Sequence, residues 1–298
     1  MKQFFLKNRR WVGYIGYCIF LTAGFLYFLF PSDAVRDYLT VRARNLNPPL
    51  MVSIDRIKPW PLCSLRFGHT EISFLDKPNK KLFRADSLLL RPGVGSFIKG
   101  DHSWYFRCVA YGGRIKGCAN FNHDDRASPL NAEIEFDTIR IGTCEYLKDL
   151  IGRNVDGILF GTVSYSGQRE RLLNGAGEAN FKFLNGRIEL LSPILTLESI
   201  EYNEVAIHMA LKRGTVNLTR LELEGPLLKG TLSGSIRLAE QLAKSSLDLR
   251  GTIEPFAAFF KKTEGIQSTL EYFRKRLRKG ALPFRIRGTL AQPNISFI

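Results

Sequence analysis

The sequence is poor in the residues that build metal centres and many catalytic sites. Its four histidines, His69, His102, His123 and His208, fall on separate predicted strands or loops. It has no C-x-x-C pair, no H-E-x-x-H segment, no phosphate-binding loop, no dinucleotide fingerprint and no G-x-S-x-G elbow. These absences argue against a zinc site, nucleotide chemistry and this kind of serine chemistry. We therefore expect a chain that is not an enzyme and that needs no cofactor.

Two short matches to catalytic or metal-binding patterns do occur. Ser96-Phe97-Ile98-Lys99 has the S-x-x-K form of some serine acylases but lacks the companion motifs, and a chain with this many serines and lysines matches it by chance. His123-Asp124-Asp125 is a local cluster of metal-ligand types, yet it lies at a predicted hairpin end, where solvated polar residues are expected. Neither match predicts a catalytic residue or a metal ligand.

One long apolar run organises the rest of the chain. Trp11–Phe30 contains 20 residues and no charged side chain. Twenty helical residues span roughly the 30 Å of a bilayer's hydrocarbon core, so the run predicts a transmembrane helix. A cleaved signal peptide is the alternative, but its apolar core is usually shorter, at about 7–15 residues, and ends in small residues instead of Phe28-Leu29-Phe30.

The charges that flank this run predict its orientation. Lys2, Lys7, Arg9 and Arg10 precede it, and positive charge is retained in the cytoplasm. Residues 1–10 are thus expected to form a cytoplasmic basic tail, residues 11–30 the membrane helix, and residues 31–298 a periplasmic β-rich domain. The predicted location is the bacterial inner membrane, with a single crossing.

The formal net charge of +15 indicates the classes of partner to expect. Outside a membrane, positive charge suits anionic lipid head groups, an acidic polysaccharide or an acidic protein, whereas nucleic acid is not expected there. A solvated basic surface without a partner is the alternative.

Beyond the apolar run, the hydrophobic period predicts one short helix and then a long series of strands. Residues 32–46 have helical spacing and end at Pro48-Pro49. From Leu50 onward apolar and polar residues alternate, and glycines separate segments of seven to ten residues. Parallel pairing would need crossover helices, for which the spacing leaves no room. The fold class is therefore mainly β, a long curved antiparallel sheet with a few short helices.

The apolar face of this sheet can be arranged in two ways. In a sandwich, the phenylalanines of the strands fill an ordinary core. In an open gutter, the same residues line an apolar groove able to hold acyl chains, with basic residues on its rim for head groups. The candidate lining residues are Phe106, Phe121, Phe136, Phe160, Phe181 and Phe183.

The cysteines and the C-terminal segment give two further expectations. Cys108 and Cys118 flank Tyr111-Gly112-Gly113-Arg114, and an odd loop from Gly112 to Arg114 would set them opposite each other as a disulfide, with unpaired buried thiols as the alternative.

An amphipathic helix is predicted over about residues 265–279, which either caps the sheet or lies on an anionic membrane. Its basic face carries Arg274, Lys275, Arg276, Arg278 and Lys279.

Three features together resemble a known family. They are the N-terminal anchor with its short helix, the glycine hairpin Tyr111–Gly117, and the ending Leu282–Ile295, LPFRIRGTLAQPNI. In these features the chain is similar to the type II secretion system protein N (GspN) family and, more distantly, to AsmA-like proteins.

The first likeness implies a non-catalytic accessory or scaffold component of protein secretion at the inner membrane, in contact with other type II secretion components. The second implies a protein that binds or transfers phospholipid or lipopolysaccharide for envelope maintenance. Neither family contributes catalytic residues.

Overall fold

A computed structural model describes residues 9–46, 48–60, 64–93, 101–122, 130–168, 172–194, 197–262 and 280–298. The chain begins with two helices, α1 (Arg9–Phe28) and α2 (Ser32–Arg44). Helix α2 carries Asp33 in its first turn and Arg42 and Arg44 in its last turn. The helix dipole favours negative charge at the first end and positive charge at the last. It corresponds to the helix predicted over residues 32–46.

Helix α1 coincides with most of the predicted membrane segment. Its side chains are largely exposed, among them Trp11, Phe20 and Phe28. Within the part of the chain that the structure describes, however, no helix combines the length and apolarity that crossing a membrane requires. The transmembrane helix predicted over Trp11–Phe30 thus finds no support in the structure.

Fourteen strands follow and form one antiparallel sheet in which every strand pairs with its neighbours in sequence. The first seven are β1 (Leu50–Trp60), β2 (Ser64–Phe74), β3 (Lys77–Pro92), β4 (Asp101–Ala110), β5 (Gly113–Asn122), β6 (Leu130–Arg140) and β7 (Val155–Gly167). The others are β8 (Ala176–Ile194), β9 (Leu197–Lys212), β10 (Thr215–Glu224), β11 (Leu228–Arg237), β12 (Ser246–Pro255), β13 (Leu282–Thr289) and β14 (Pro293–Phe297). In the described parts of the chain, two short α-helices lie between strands, α3 (Glu145–Ile151) after β6 and α4 (Ala257–Lys262) after β12. The predicted mainly-β antiparallel fold is confirmed.

Tight turns explain why consecutive strands can pair throughout. The β4–β5 turn has positive φ at Tyr111 (53°) and Gly112 (71°), and the β9–β10 turn has positive φ at Arg213 (48°) and Gly214 (74°). Two successive residues with φ > 0 give the turn type that matches the right-handed twist of paired strands. Each such hairpin keeps the next strand beside the previous one.

The sheet is open, and among the described residues two helices pack on hydrophobic clusters at parts of it. Phe30 and the α2 residues Val35 and Leu39 pack on Ile54, Ile57 and Phe67 at the β1–β3 end. Phe259 of α4 packs with Leu228 near the ends of β9–β12. Elsewhere the hydrophobic clusters join neighbouring strands of the same sheet, β3–β7 in one cluster and β9–β13 in the other. Of the two predicted alternatives, the described residues form the open sheet instead of the sandwich.

The amphipathic helix predicted over about residues 265–279 lies outside the described residues. Its basic residues, Arg274, Lys275, Arg276, Arg278 and Lys279, therefore remain a prediction.

Candidate functional site

Cross-strand register aligns apolar residues into rows that cross the whole sheet. Successive residues of a strand point to opposite faces, so residues paired across strands share a face. One row contains Pro59, Leu65, Leu90, Phe106, Gly117, Ile134, Val163, Ala179, Met209, Leu218, Gly234, Leu249, Ile286 and Ile295. The next row contains Ile57, Phe67, Leu88, Cys108, Ile115, Phe136, Gly161, Phe181, Ile207, Leu221, Leu232, Gly251, Phe284 and Phe297. We call the side of the sheet that carries these two rows the apolar face.

The row between these two points to the other side, which we call the polar face. Its members on β1 to β9 are Lys58, Arg66, Leu89, Arg107, Lys116, Glu135, Thr162, Asn180 and His208. Leu89 is the one apolar residue among them. Lys116 and Glu135 form an ion pair of 2.9 Å, and His208 Nδ1 lies 2.6 Å from the Asn180 side-chain oxygen. The two faces of one sheet therefore differ almost completely in chemistry.

Aromatic rings lie over glycines of neighbouring strands on the apolar face. The register pairs Phe106 with Gly117, Gly161 with Phe181, and Gly251 with Phe284. A Cβ atom added at any of these three glycines would collide with the ring of its partner. Each ring thus occupies the space that a side chain would take, which packs the ring against the backbone of the adjacent strand.

The structure places most of the predicted phenylalanines on the apolar face. Phe106, Phe136, Phe181 and Phe183 lie there, and the rings of Phe136 and Phe181 are 6.0 Å apart. The rings of Phe181 and Phe183 are 6.3 Å apart. Phe121 shares this side by alternation along β5.

Phe160 corrects one of the predictions. It pairs with Lys182 and lies on the polar face, whereas its neighbours Leu159 and Gly161 pair with Phe183 and Phe181. Ile158-Leu159-Phe160 is a continuous apolar run, so hydrophobicity alone does not assign Phe160 to a face. Phe160 is therefore removed from the candidate lining.

The middle of the apolar face is only half-buried. Phe106, Ile134, Val163, Phe181 and Met209 are all of intermediate exposure. Side chains in a closed sandwich core would be buried by the opposite sheet. Among the described residues, the burial of these five side chains comes from neighbours on the same sheet, which leaves an extended apolar surface.

The structure separates the two cysteines that were predicted to form a disulfide. Both are free thiols, and Cys108 pairs with Ile115 whereas Cys118 pairs with Tyr105. The turn contains two residues, Tyr111 and Gly112, instead of the odd loop that the prediction assumed. Cys108 consequently points to the apolar face and Cys118 to the polar face. Burial, and secondarily the charge of Asp86, raise the pKa of Cys108 to about 11.

Two cavities lie along the polar face. One, of about 530 Å³, is lined by Arg107, Lys116 and Glu133 among others. The second, of about 730 Å³, is lined mostly by polar-face residues near one end of the strands, including Glu133, Glu178 and Lys212, together with Leu211 of the apolar face. Within the described residues, no group of three or more histidine, cysteine, aspartate or glutamate side chains is placed to hold a metal ion.

Sequence reasoning missed the aliphatic part of the apolar face. Ile134, Val163, Met209 and Leu218 occupy the same rows as the phenylalanines. Alternation could have found Ile134, which lies two residues from Phe136, whereas Val163, Met209 and Leu218 are joined to the phenylalanines only by cross-strand register.

Comparison with known proteins gives no relative from which a function could be transferred. No family model, no curated protein and no solved structure matches the chain. The resemblance carried by Tyr111–Gly117 and Leu282–Ile295 stays a prediction.

Proposed function

We propose that the chain binds the acyl chains of lipids along its apolar face. The observation that carries this proposal is the pair of rows that cross all fourteen strands without one hydroxyl, amide or charged side chain. An uncovered apolar surface larger than a few hundred Å² marks a binding site in a folded protein. Because the two rows offer no hydrogen-bonding side chain, the ligand that fits the apolar face is a hydrocarbon.

The dimensions of the face suit such a ligand. Fourteen strands about 4.8 Å apart make a surface about 60 Å across, roughly twice the thickness of a bilayer's hydrocarbon core. Each methylene group removed from water contributes about 0.8 kcal/mol, so a long acyl chain gains enough to bind.

The two ends of the apolar face are covered differently. Helix α2 packs over the β1–β3 end, whereas at the β14 end Ile295 is 51% exposed. Among the described residues, the face is therefore uncovered from about β4 to β14, except near the ends of β9–β12, where Phe259 of α4 packs. We assign the acyl chains to this stretch.

We also propose that the chain works beside a membrane. Helix α1 exposes 69% of Trp11, 75% of Phe20 and 83% of Phe28. Leaving these large apolar side chains in water costs free energy. A membrane would cover these side chains and is also the source of the lipid. The bacterial inner membrane and the periplasmic space remain the predicted location.

Native mass spectrometry of the detergent-extracted full chain tests the lipid-binding proposal. We expect additional masses equal to those of phospholipids, which extraction with organic solvent removes. A chain that retains its fold by circular dichroism yet carries no lipid, and takes up none when phospholipid is added back, would contradict the proposal.

A scaffold role in type II secretion is the other prediction, and it rests on the resemblance alone. Crosslinking from the chain in cells would test it, because a scaffold should yield adducts with other secretion components. Genes for a secretin and pilus-like components beside this one would support secretion, and their absence would favour lipid traffic.

A further inference from the structure

The ends of strands β9–β12 form two rims along the apolar face, and these rims carry opposite charge. At one rim lie four exposed basic residues, Lys212, Arg213, Arg237 and Lys244. We call this group the basic rim. Glu240 is the only acidic residue among the connections at this rim, residues 212–215 and 237–246.

Register holds the members of the basic rim close together. Lys212 pairs with Thr215, and Thr215 pairs with Arg237, so Lys212 and Arg237 lie in one row two strands apart, about 10 Å. The amide of Leu238 donates to the carbonyl of Gly214 at 2.8 Å and ties the two connections together. Among the described residues, none of the four basic side chains forms an ion pair.

Apolar side chains lie directly behind the basic rim. Leu211, Val216, Ile236 and Leu247 form a further cross-strand row on the apolar face. Leu211 and Lys212 also line the cavity of about 730 Å³, together with Asn131, Asn217 and the carboxylates of Glu133 and Glu178. Lys212 and Arg237 follow this row by one residue and point to the polar face by alternation, so a head group meets their charge past the ends of the strands while the acyl chains meet hydrocarbon on the apolar face.

The opposite ends of the same strands have the reverse charge. Glu201, Glu204, Glu224 and Glu254 lie there, and two basic residues at that rim are engaged: Lys182 pairs with Glu204 at 2.9 Å and Lys229 with Glu224 at 2.9 Å. An anionic head group is repelled from this rim and attracted to the other. The charge difference therefore orients an amphiphile across the strands.

We propose that the basic rim is a binding site for the phosphate of an anionic phospholipid whose acyl chains lie on the apolar face. This inference rests on the proposed lipid-binding function and specifies the lipid class and its orientation. Unpaired lysine and arginine side chains are the groups that recognise phosphate, and a flanking apolar surface distinguishes a lipid from free phosphate.

The test compares two lipids on three forms of the full chain. Phosphatidylglycerol and phosphatidylcholine with the same acyl chains are titrated into the detergent-extracted protein, and binding is measured by native mass spectrometry. The first variant reverses three charges of the basic rim, Lys212→Glu, Arg213→Glu and Arg237→Glu. The matched control makes the same charge change on β1 and β3, with Arg56→Glu, Lys58→Glu and Lys77→Glu.

We expect the unmodified chain and the control to prefer phosphatidylglycerol. The rim variant should lose at least about tenfold in affinity for phosphatidylglycerol and retain its affinity for phosphatidylcholine within about twofold. Excess inorganic phosphate should not displace the lipid, because it offers no hydrocarbon.

Three outcomes would overturn the inference. They are equal binding of both lipids by the unmodified chain, an equal loss in the control variant, and displacement of the lipid by inorganic phosphate. Failure of both lipids to bind the unmodified chain would instead overturn the lipid-binding function itself, so the two failures are distinguishable.

Discussion

The two faces of the sheet share one backbone and differ in nearly every side chain. On β7, Val163 belongs to an apolar row and pairs with Ile134 and Ala179, whereas Ser164 points to the polar face and pairs with Glu133 and Glu178. The polar face needs no cover because its side chains are solvated, whereas among the described residues most of the width of the apolar face has neither solvation nor cover. The contrast teaches that the fold is organised around one surface that it does not bury.

The largest expected effect comes from placing a charge on the apolar face. Val163→Asp should abolish phospholipid binding, because a carboxylate in the middle of the rows must lose water when an acyl chain covers it. Native mass spectrometry of the variant measures the loss.

Ser164→Asp makes a comparable change one residue away, on the polar face, and should leave lipid binding intact. Val163→Thr preserves shape and strand propensity and should weaken binding less than the aspartate does. If Val163→Asp and Ser164→Asp are both folded by circular dichroism and bind lipid equally, the result would contradict lipid binding on the apolar face alone.

Removing an aromatic ring should affect stability unequally on the two faces. Phe181 contacts the rings of Phe136 and Phe183, so Phe181→Ala should cost about 2–3 kcal/mol of unfolding free energy. Phe160→Ala on the polar face should cost only about 1 kcal/mol. Urea unfolding of both variants measures the difference, and a larger loss for Phe160→Ala would contradict the assignment of faces.

A methyl group added beneath a ring should have a smaller effect. At Gly117 an added Cβ would meet the carbonyl oxygen of Glu133 and the ring of Phe106, so Gly117→Ala should destabilise by about 1–3 kcal/mol. At Gly68 the nearest atom is the Cβ of Arg56, 3.7 Å away, and Gly68→Ala should be close to neutral. Thermal unfolding compares the two, and an equal shift would mean that the ring of Phe106 does not lie over Gly117.

The two hairpin cysteines should differ in reactivity without any change in stability. Cys108 is 2% exposed and its raised pKa, about 11, leaves about one thiolate in a thousand at pH 8. Cys118 lies half-buried on the polar face. Iodoacetamide at pH 8 should therefore modify Cys118 first, and Cys108 only after unfolding in guanidinium. Peptide mass mapping measures both, and equal rates in the folded chain would contradict their placement on opposite faces.

Much of the architecture was predictable because its signals are local. Alternation from Leu50 onward indicates strands, and glycine turns with short spacing indicate antiparallel neighbours. Whether the sheet closes was not predictable, since sandwiches and open sheets share this alternation.

The individual site residues were harder to predict because they depend on register. The continuous apolar run Ile158-Leu159-Phe160 does not by itself assign Phe160 to a face, and the predicted disulfide between Cys108 and Cys118 depends on an odd hairpin loop, whereas the turn has two residues. The basic rim was missed because Lys212 and Arg237 lie 25 positions apart in sequence and meet only through the pairing of β9, β10 and β11.

Photocrosslinking along β7 tests the central claim most directly. A photoreactive side chain is placed in turn at Thr162, Val163, Ser164 and Tyr165 of the full chain, which is then irradiated with bound phospholipid. We predict lipid adducts at Val163 and Tyr165, which pair with apolar-face residues, and none at Thr162 and Ser164. Adducts of equal yield at all four positions, or none at Val163 in a chain that holds lipid, would contradict binding on the apolar face.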